Sequence, residues 1–164
     1  MTSGHVAAWI GVGGAGQGAN GADEWVQIGV ASLPGGTTEL YYEVAFPGQR
    51  AAYTSLGPVS SGESHQVAVL ETDEPNTWLV WLDGRAVSQP LYLPGSHGTW
   101  SPMATSESYD GGYTSCNGYG FEFSELQTAS AAGAWQPLRK ARSFADSGHS
   151  LRTLAADTIL VNHP

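Results

Sequence analysis

The chain has 164 residues, room for one domain or for one domain with a tail. With 41% hydrophobic residues it can bury a core without disulfide or metal staples, and 22 glycines and nine prolines beside only 13% charged residues describe a turn-rich, β-rich globular chain, not a disordered, collagen-like or coiled-coil one. Six Lys and Arg against 15 Asp and Glu give a net charge of −9, which repels a phosphate backbone and argues against a nucleic-acid partner, and no apolar run approaches the roughly 18 residues of a membrane span.

Met1 to Val12 has neither the basic start nor the long apolar run of a signal peptide, so the default expectation is a cytoplasmic protein, or a secreted one if an upstream leader was removed. Val6 to Val12 is a predicted strand, followed by a glycine-rich loop over Gly13 to Asp23. Trp25 to Ala31 reads as a strand stopped by Pro34-Gly35-Gly36, and Glu39 to Phe46 as another stopped by Pro47-Gly48. His65 to Glu71 and Thr77 to Leu82 form a predicted strand pair, with Asp83-Gly84 opening a hairpin into Arg85 to Leu93. Strands at Met103 to Tyr109 and Tyr119 to Leu126 complete the regular part. After Thr128 the texture changes: Ala129 to Ala134 is small and flexible, and Leu138 to Arg152 carries four of the six basic residues. Leu151 to Val161 reads as a helix or, at Thr158 to Val161, as a final strand. The expected fold is all-β, an antiparallel β-sandwich over residues 1–128, with residues 129–164 a C-terminal segment packed on the same domain.

Alternate side chains of a strand share a face. Val26, Ile28 and Val30 suit a core, which sends Trp25, Gln27 and Gly29 the other way; in the neighbouring runs Ile10 and Val12 oppose Trp9 and Gly11, and Tyr42 and Val44 oppose Tyr41 and Glu43. Thr105, Glu107 and Tyr109 share a face in the same manner. Trp9, Gln27, Glu43, Glu107 and Tyr109 can therefore line one concave face as a binding groove, or they are the solvent side of a one-sided sheet.

Other chemistry finds little support. Gly11-x-Gly13-x-x-Gly16 matches a dinucleotide fingerprint, but Gln17-Gly18-Ala19-Asn20-Gly21 is poor material for the helix that must follow, so a loop at the sheet rim is the better reading. The histidines at 5, 65, 97, 149 and 163 show no ligand spacing, so no metal and no other cofactor is expected. Cys116, the single cysteine, cannot form an intramolecular disulfide and reads as a small buried hydrophobe. A carboxylate and an amide remain: the first can act as general base on water, the second can donate to the oxyanion of an attacked carbonyl.

These residues stand in motifs that resemble the glutamic peptidases, or eqolisins, acid endopeptidases on a concanavalin A-like jelly-roll sandwich. Ala8-Trp9-Ile10-Gly11-Val12-x-Gly14 is similar to the family's Ala-Trp-Val-Gly-Ile-Asp-Gly strand, and Val26-Gln27-Ile28-Gly29-Val30 to the Leu-Gln-x-Gly strand that bears its catalytic glutamine. Tyr42-Glu43 followed by Pro47 resembles its Trp-Tyr-Glu-Trp-Tyr-Pro strand, Ser61-Gly62-Glu63 its x-Gly-Asp turn, and Trp78 to Val87 the next hairpin. Ala104-Thr105-Ser106-Glu107-Ser108-Tyr109 resembles the strand of the catalytic glutamate. The resemblance runs from Val6 to Leu126, about three quarters of the chain.

It implies a hydrolase of peptide or protein substrates in which Gln27 and Glu107 are the catalytic pair, while Trp9, Glu43 and Tyr109 shape the groove. Two family aspartates are Gly13 and Ala31 here, and the family's N-terminal strands, pro-segment and disulfides have no counterpart. The Thr158 to Val161 run is the candidate replacement for the missing strands, a more open groove the alternative. The rival reading is a non-proteolytic concanavalin-like protein that binds a carbohydrate or small molecule, with Trp9, Trp25 and Tyr109 as its platform; a different reaction in the same groove is the third.

Overall fold

Alternation of large apolar and polar residues builds the scaffold strand by strand. The computed structural model describes residues 4–109, 118–130, 132–138 and 141–163. The strands are β1 (His5–Gly14), β2 (Glu24–Ser32), β3 (Thr38–Ala45), β4 (Ala52–Pro58), β5 (Val67–Glu71), β6 (Thr77–Leu82), β7 (Arg85–Ala86), β8 (Leu91–Tyr92), β9 (Pro102–Tyr109), β10 (Tyr119–Phe123), β11 (Gln127–Ala129), β12 (Trp135–Pro137), β13 (Ser150–Ala155) and β14 (Thr158–His163). The chain divides into two compact units, one of Ala7–Ser32 with Gly36–Thr105, the other of Met1–Val6, Leu33–Gly35 and Ser106–Pro164.

The first unit is the expected antiparallel sandwich. One sheet has the strand order β4-β3-β2-β1-β9; in the other β5, β6 and β7 follow in order and β8 also pairs with β6. Val12, Val26, Ile28 and Val44 meet Trp78, Val80, Leu91 and Leu93 in one buried cluster, with Ile10, Tyr42 and Trp100 packed against it. The parity reading of β1, β2 and β3 is therefore correct: Ile10, Val12, Val26, Ile28, Tyr42 and Val44 face the core. At about 25 cal/mol per Å² of buried apolar surface, each such side chain contributes roughly 1.5–3 kcal/mol, enough for burial to fix the register. Asp83 and Gly84 have φ of +49° and +76°, the paired left-handed residues of the tight hairpin turn expected there.

The structure departs from the expected elements in three places. The edge strand β4 was not among them; its sequence is short, small and polar, and its pairing with β3 shifts register between Leu40 and Tyr41. The run predicted over Arg85 to Leu93 is two short strands, because Pro90 between them has no N–H to give a ladder. The strand expected to reach Leu126 ends at Phe123, shortly before Glu125 at φ +54°.

In the second unit, β14 lies between β10 and β13 in a three-stranded antiparallel sheet, and β11 pairs with β12. Leu151 to Val161 is thus two strands and a turn, not a helix. Cys116 lies outside the described residues.

Candidate active site

Between β1 and β2 the outward face is built from large residues set over glycines. A Cβ on Gly11 would lie 2.6 Å from the Val26 carbonyl oxygen and 2.9 Å from the Gln27 Cβ, and one on Gly29 would fall on the Ala8 carbonyl oxygen, 2.7 Å from the Trp9 Cβ. The glycines that gave the sequence its motif-like look are therefore what lets Trp9 and Gln27 sit closely side by side.

Gln27 is 7% exposed, and its Nε2 donates to the Tyr41 hydroxyl at 3.2 Å. An amide carries two N–H groups, so one such bond orients the group and leaves its second N–H to be aimed. Across the ladder Gln27 stands directly opposite Glu43, whose carboxylate accepts from the Trp25 indole N–H at 3.0 Å. Trp9 is half-buried, and its indole nitrogen is buried without a hydrogen-bond partner.

Sequence reasoning missed the polar row beyond these residues. Tyr41 stacks on Tyr53 with ring centroids 4.8 Å apart and planes 12° apart. The Tyr53 hydroxyl donates to Glu39 at 2.7 Å and the Ser55 hydroxyl donates to the same carboxylate at 2.6 Å. Those two bonds hold the Glu39 carboxyl below its ordinary pKa, while burial and the facing Glu39 push the Tyr53 phenol well up. The parity of Glu39 and Tyr41 with Glu43 was a signal for half of this row; Tyr53 and Ser55 sit on the unexpected β4.

Gly13, where the resembled family has an aspartate, has φ +82°, and a Cβ there would fall on the Glu24 carbonyl oxygen, 2.9 Å from the Trp25 Cα. The backbone itself excludes a side chain at this position. Ala31 is buried at 2% exposure, opposite Glu39 in the ladder.

Glu107 and Tyr109 belong to the other unit. Glu107 is 47% exposed, with its carboxylate 3.6 Å from the Nε2 of His5; Tyr109 is 59% exposed, its ring 5.7 Å from the same histidine. Among the five proposed site residues, then, Trp9, Gln27 and Glu43 are brought together on β1, β2 and β3, and Glu107 and Tyr109 are gathered around His5. An open depression lined by Thr128, Gln136, Pro137 and Leu138 contains none of them and no titratable side chain.

No protein-family model and no curated protein matches the sequence. Among solved structures the chain is similar to aspergilloglutamic peptidase from Aspergillus niger, with a TM-score of 0.70 and 16% identity over 99% of this chain and 100% of that one. The fold is thus an all-β antiparallel sandwich shared with that peptidase.

Proposed function

We propose that the chain is a glutamic-peptidase-like hydrolase of peptide bonds. Glu107 takes a proton from the water that attacks the scissile carbonyl, Gln27 donates its amide N–H to the oxyanion of the tetrahedral intermediate, and Glu107 then returns the proton to the leaving amine. Trp9, Glu43 and Tyr109 contact an extended peptide. The observation that carries this reading is the Gln27 amide, buried and held by Tyr41 on a sheet whose fold is shared with aspergilloglutamic peptidase. The Glu107 motif and the resemblance of the surrounding strands add the base.

Cleavage of a denatured protein across about pH 2 to 8, wild type against Glu107→Gln, tests it. Cleavage in acid that vanishes in the variant is the expected result; no cleavage by wild type at any pH overturns it. The exposed Tyr109 beside His5 supports a second reading, stacking on a sugar or another flat ligand, under which Glu107→Gln keeps binding intact.

A further inference from the structure

Three of the five histidines sit against carboxylates: His5 by Glu107 at 3.6 Å, His65 by Asp83 at 2.9 Å and His97 by Glu71 at 2.9 Å. The other two sit against each other. The rings of His149 and His163 have centroids 4.6 Å apart and planes 37° apart.

The sheet register puts them there. Ser150 on β13 is opposite Asn162 on β14, so one step outward His149 comes opposite His163. On the far side of β14 the cross-strand partner of His163 is Tyr119, whose ring lies 6.2 Å from it at 23°. Linear spacing hides the pair, because the two residues stand on opposite arms of a hairpin.

The chemistry of the pair is that of two nitrogen ligands. The Nδ1 atoms of both rings are buried with no hydrogen-bond partner, which is unfavourable for a polar nitrogen until something binds it. Both residues are only partly buried overall, and the Gly148 backbone lies against the His163 ring: a Cβ there would come within 3.3 Å of the Nε2, so only a glycine leaves that edge uncrowded. Two imidazoles bound at about 2.0–2.1 Å in adjacent positions of one ion place their ring centres roughly 4.5 Å apart, close to the spacing found. Among the described residues no set of three or more His, Cys, Asp or Glu side chains converges, so an ion held here would take its remaining ligands from water. Two imidazoles and water favour Cu²⁺ over Zn²⁺ by the general affinity order, and the net charge of −9 draws cations to the protein.

We propose that His149 and His163 form a two-histidine site for a divalent transition-metal ion, Cu²⁺ ahead of Zn²⁺, that ties β13 to β14. The site is independent of the peptidase reading. Titrating the full chain with Cu²⁺ near neutral pH, followed by calorimetry and thermal unfolding, tests it. The expected result is one Cu²⁺ per chain and a raised Tm, because the ion binds only the folded hairpin. His149→Ala and His163→Ala should each weaken binding about tenfold or more, because one ligand alone holds the ion poorly, and the double variant should abolish it; His97→Ala should leave binding unchanged. The electron spin resonance spectrum of the wild-type complex, which needs no variant to fold, should show two nitrogen ligands. No bound Cu²⁺, a spectrum without two nitrogens, or binding that survives loss of both histidines overturns the proposal.

Discussion

The Gln27 amide and the Tyr41 hydroxyl, 3.2 Å apart, join neighbouring strands on the outward face of the sheet, and Tyr41 is itself clamped by its stack on Tyr53. Nothing in a one-sided sheet requires a glutamine to be 7% exposed on its solvent face. The flanking glycines, Gly11 and Gly29, leave the backbone close enough for the side chain to be sunk and still point outward. Such an amide is preorganised, so in the proposed mechanism it would donate to a developing charge without first having to reorient.

Removing that donor should be costly. Gln27→Ala is expected to lower kcat roughly 100- to 1000-fold, about 2.7–4 kcal/mol of transition-state stabilisation, with KM little changed. Steady-state kinetics on a peptide cleaved by the wild type measures this, and an equal rise in KM at constant kcat would assign Gln27 to substrate binding instead.

In the proposed mechanism Tyr41 is a positioning residue for Gln27. Tyr41→Phe keeps the stack on Tyr53 and removes the acceptor of the Gln27 amide, a hydrogen bond worth about 1 kcal/mol, so kcat should fall roughly five-fold while the fold is retained. A loss as large as that of Gln27→Ala would mean that the phenol itself meets the substrate.

The Gly13 position cannot take the aspartate of the resembled family. Gly13→Asp forces a residue with a Cβ into φ +82° and onto the Glu24 carbonyl, with the Trp100 ring 3.0 Å away. It should cost about 1–3 kcal/mol from backbone strain, and lower Tm by roughly 2–4 °C for each kcal/mol, without raising activity. Thermal unfolding of the variant beside its cleavage rate decides the matter; a stable and faster enzyme would show that β1 can reshape to accept the aspartate.

Much of this was legible in the sequence because burial obeys a period of two. Val26 and Ile28 announce a core face, and Gln27 between them is then committed to the other. The Asp83-Gly84 turn was legible because only a few residue types tolerate two successive positive φ angles. What escaped the reading lacks such a signature. β4 offers little apolar contrast along Ala52–Pro58, so Tyr53 and Ser55, and with them the partners of Glu39, went unseen. The His149 and His163 pair exists only through a hairpin register, and the Leu151 to Val161 run carries apolar residues that suit helix and strand alike until β10 supplies an edge to pair with.

Glu24 makes the stability of the fold depend on pH. Its side chain is 0% exposed at the core-facing end of β2. The glycine-rich loop is laid directly on it: a Cβ on Gly18 would fall on the Glu24 Oε2. Burial raises its pKa above the ordinary 4.5, and the nearby Ala19 backbone N–H offsets only part of that. In the unfolded chain the same carboxyl ionises near its ordinary value. Below that value it is protonated in both states and its contribution to stability is fully present; as pH rises through the raised folded value, that contribution is lost, because the folded state must then hold a buried charge that the Ala19 N–H offsets only in part. Glu24→Gln keeps the shape without the charge. The variant should match wild type in acid and exceed it at neutral pH, by about 1–3 kcal/mol, with the difference opening as pH climbs above 4.5. Tm measured for both proteins from about pH 3 to 8 tests this. A difference that does not change with pH, or a wild type that is the more stable at neutrality, would show that the loop supplies Glu24 with a partner and that its carboxylate is held, not merely enclosed.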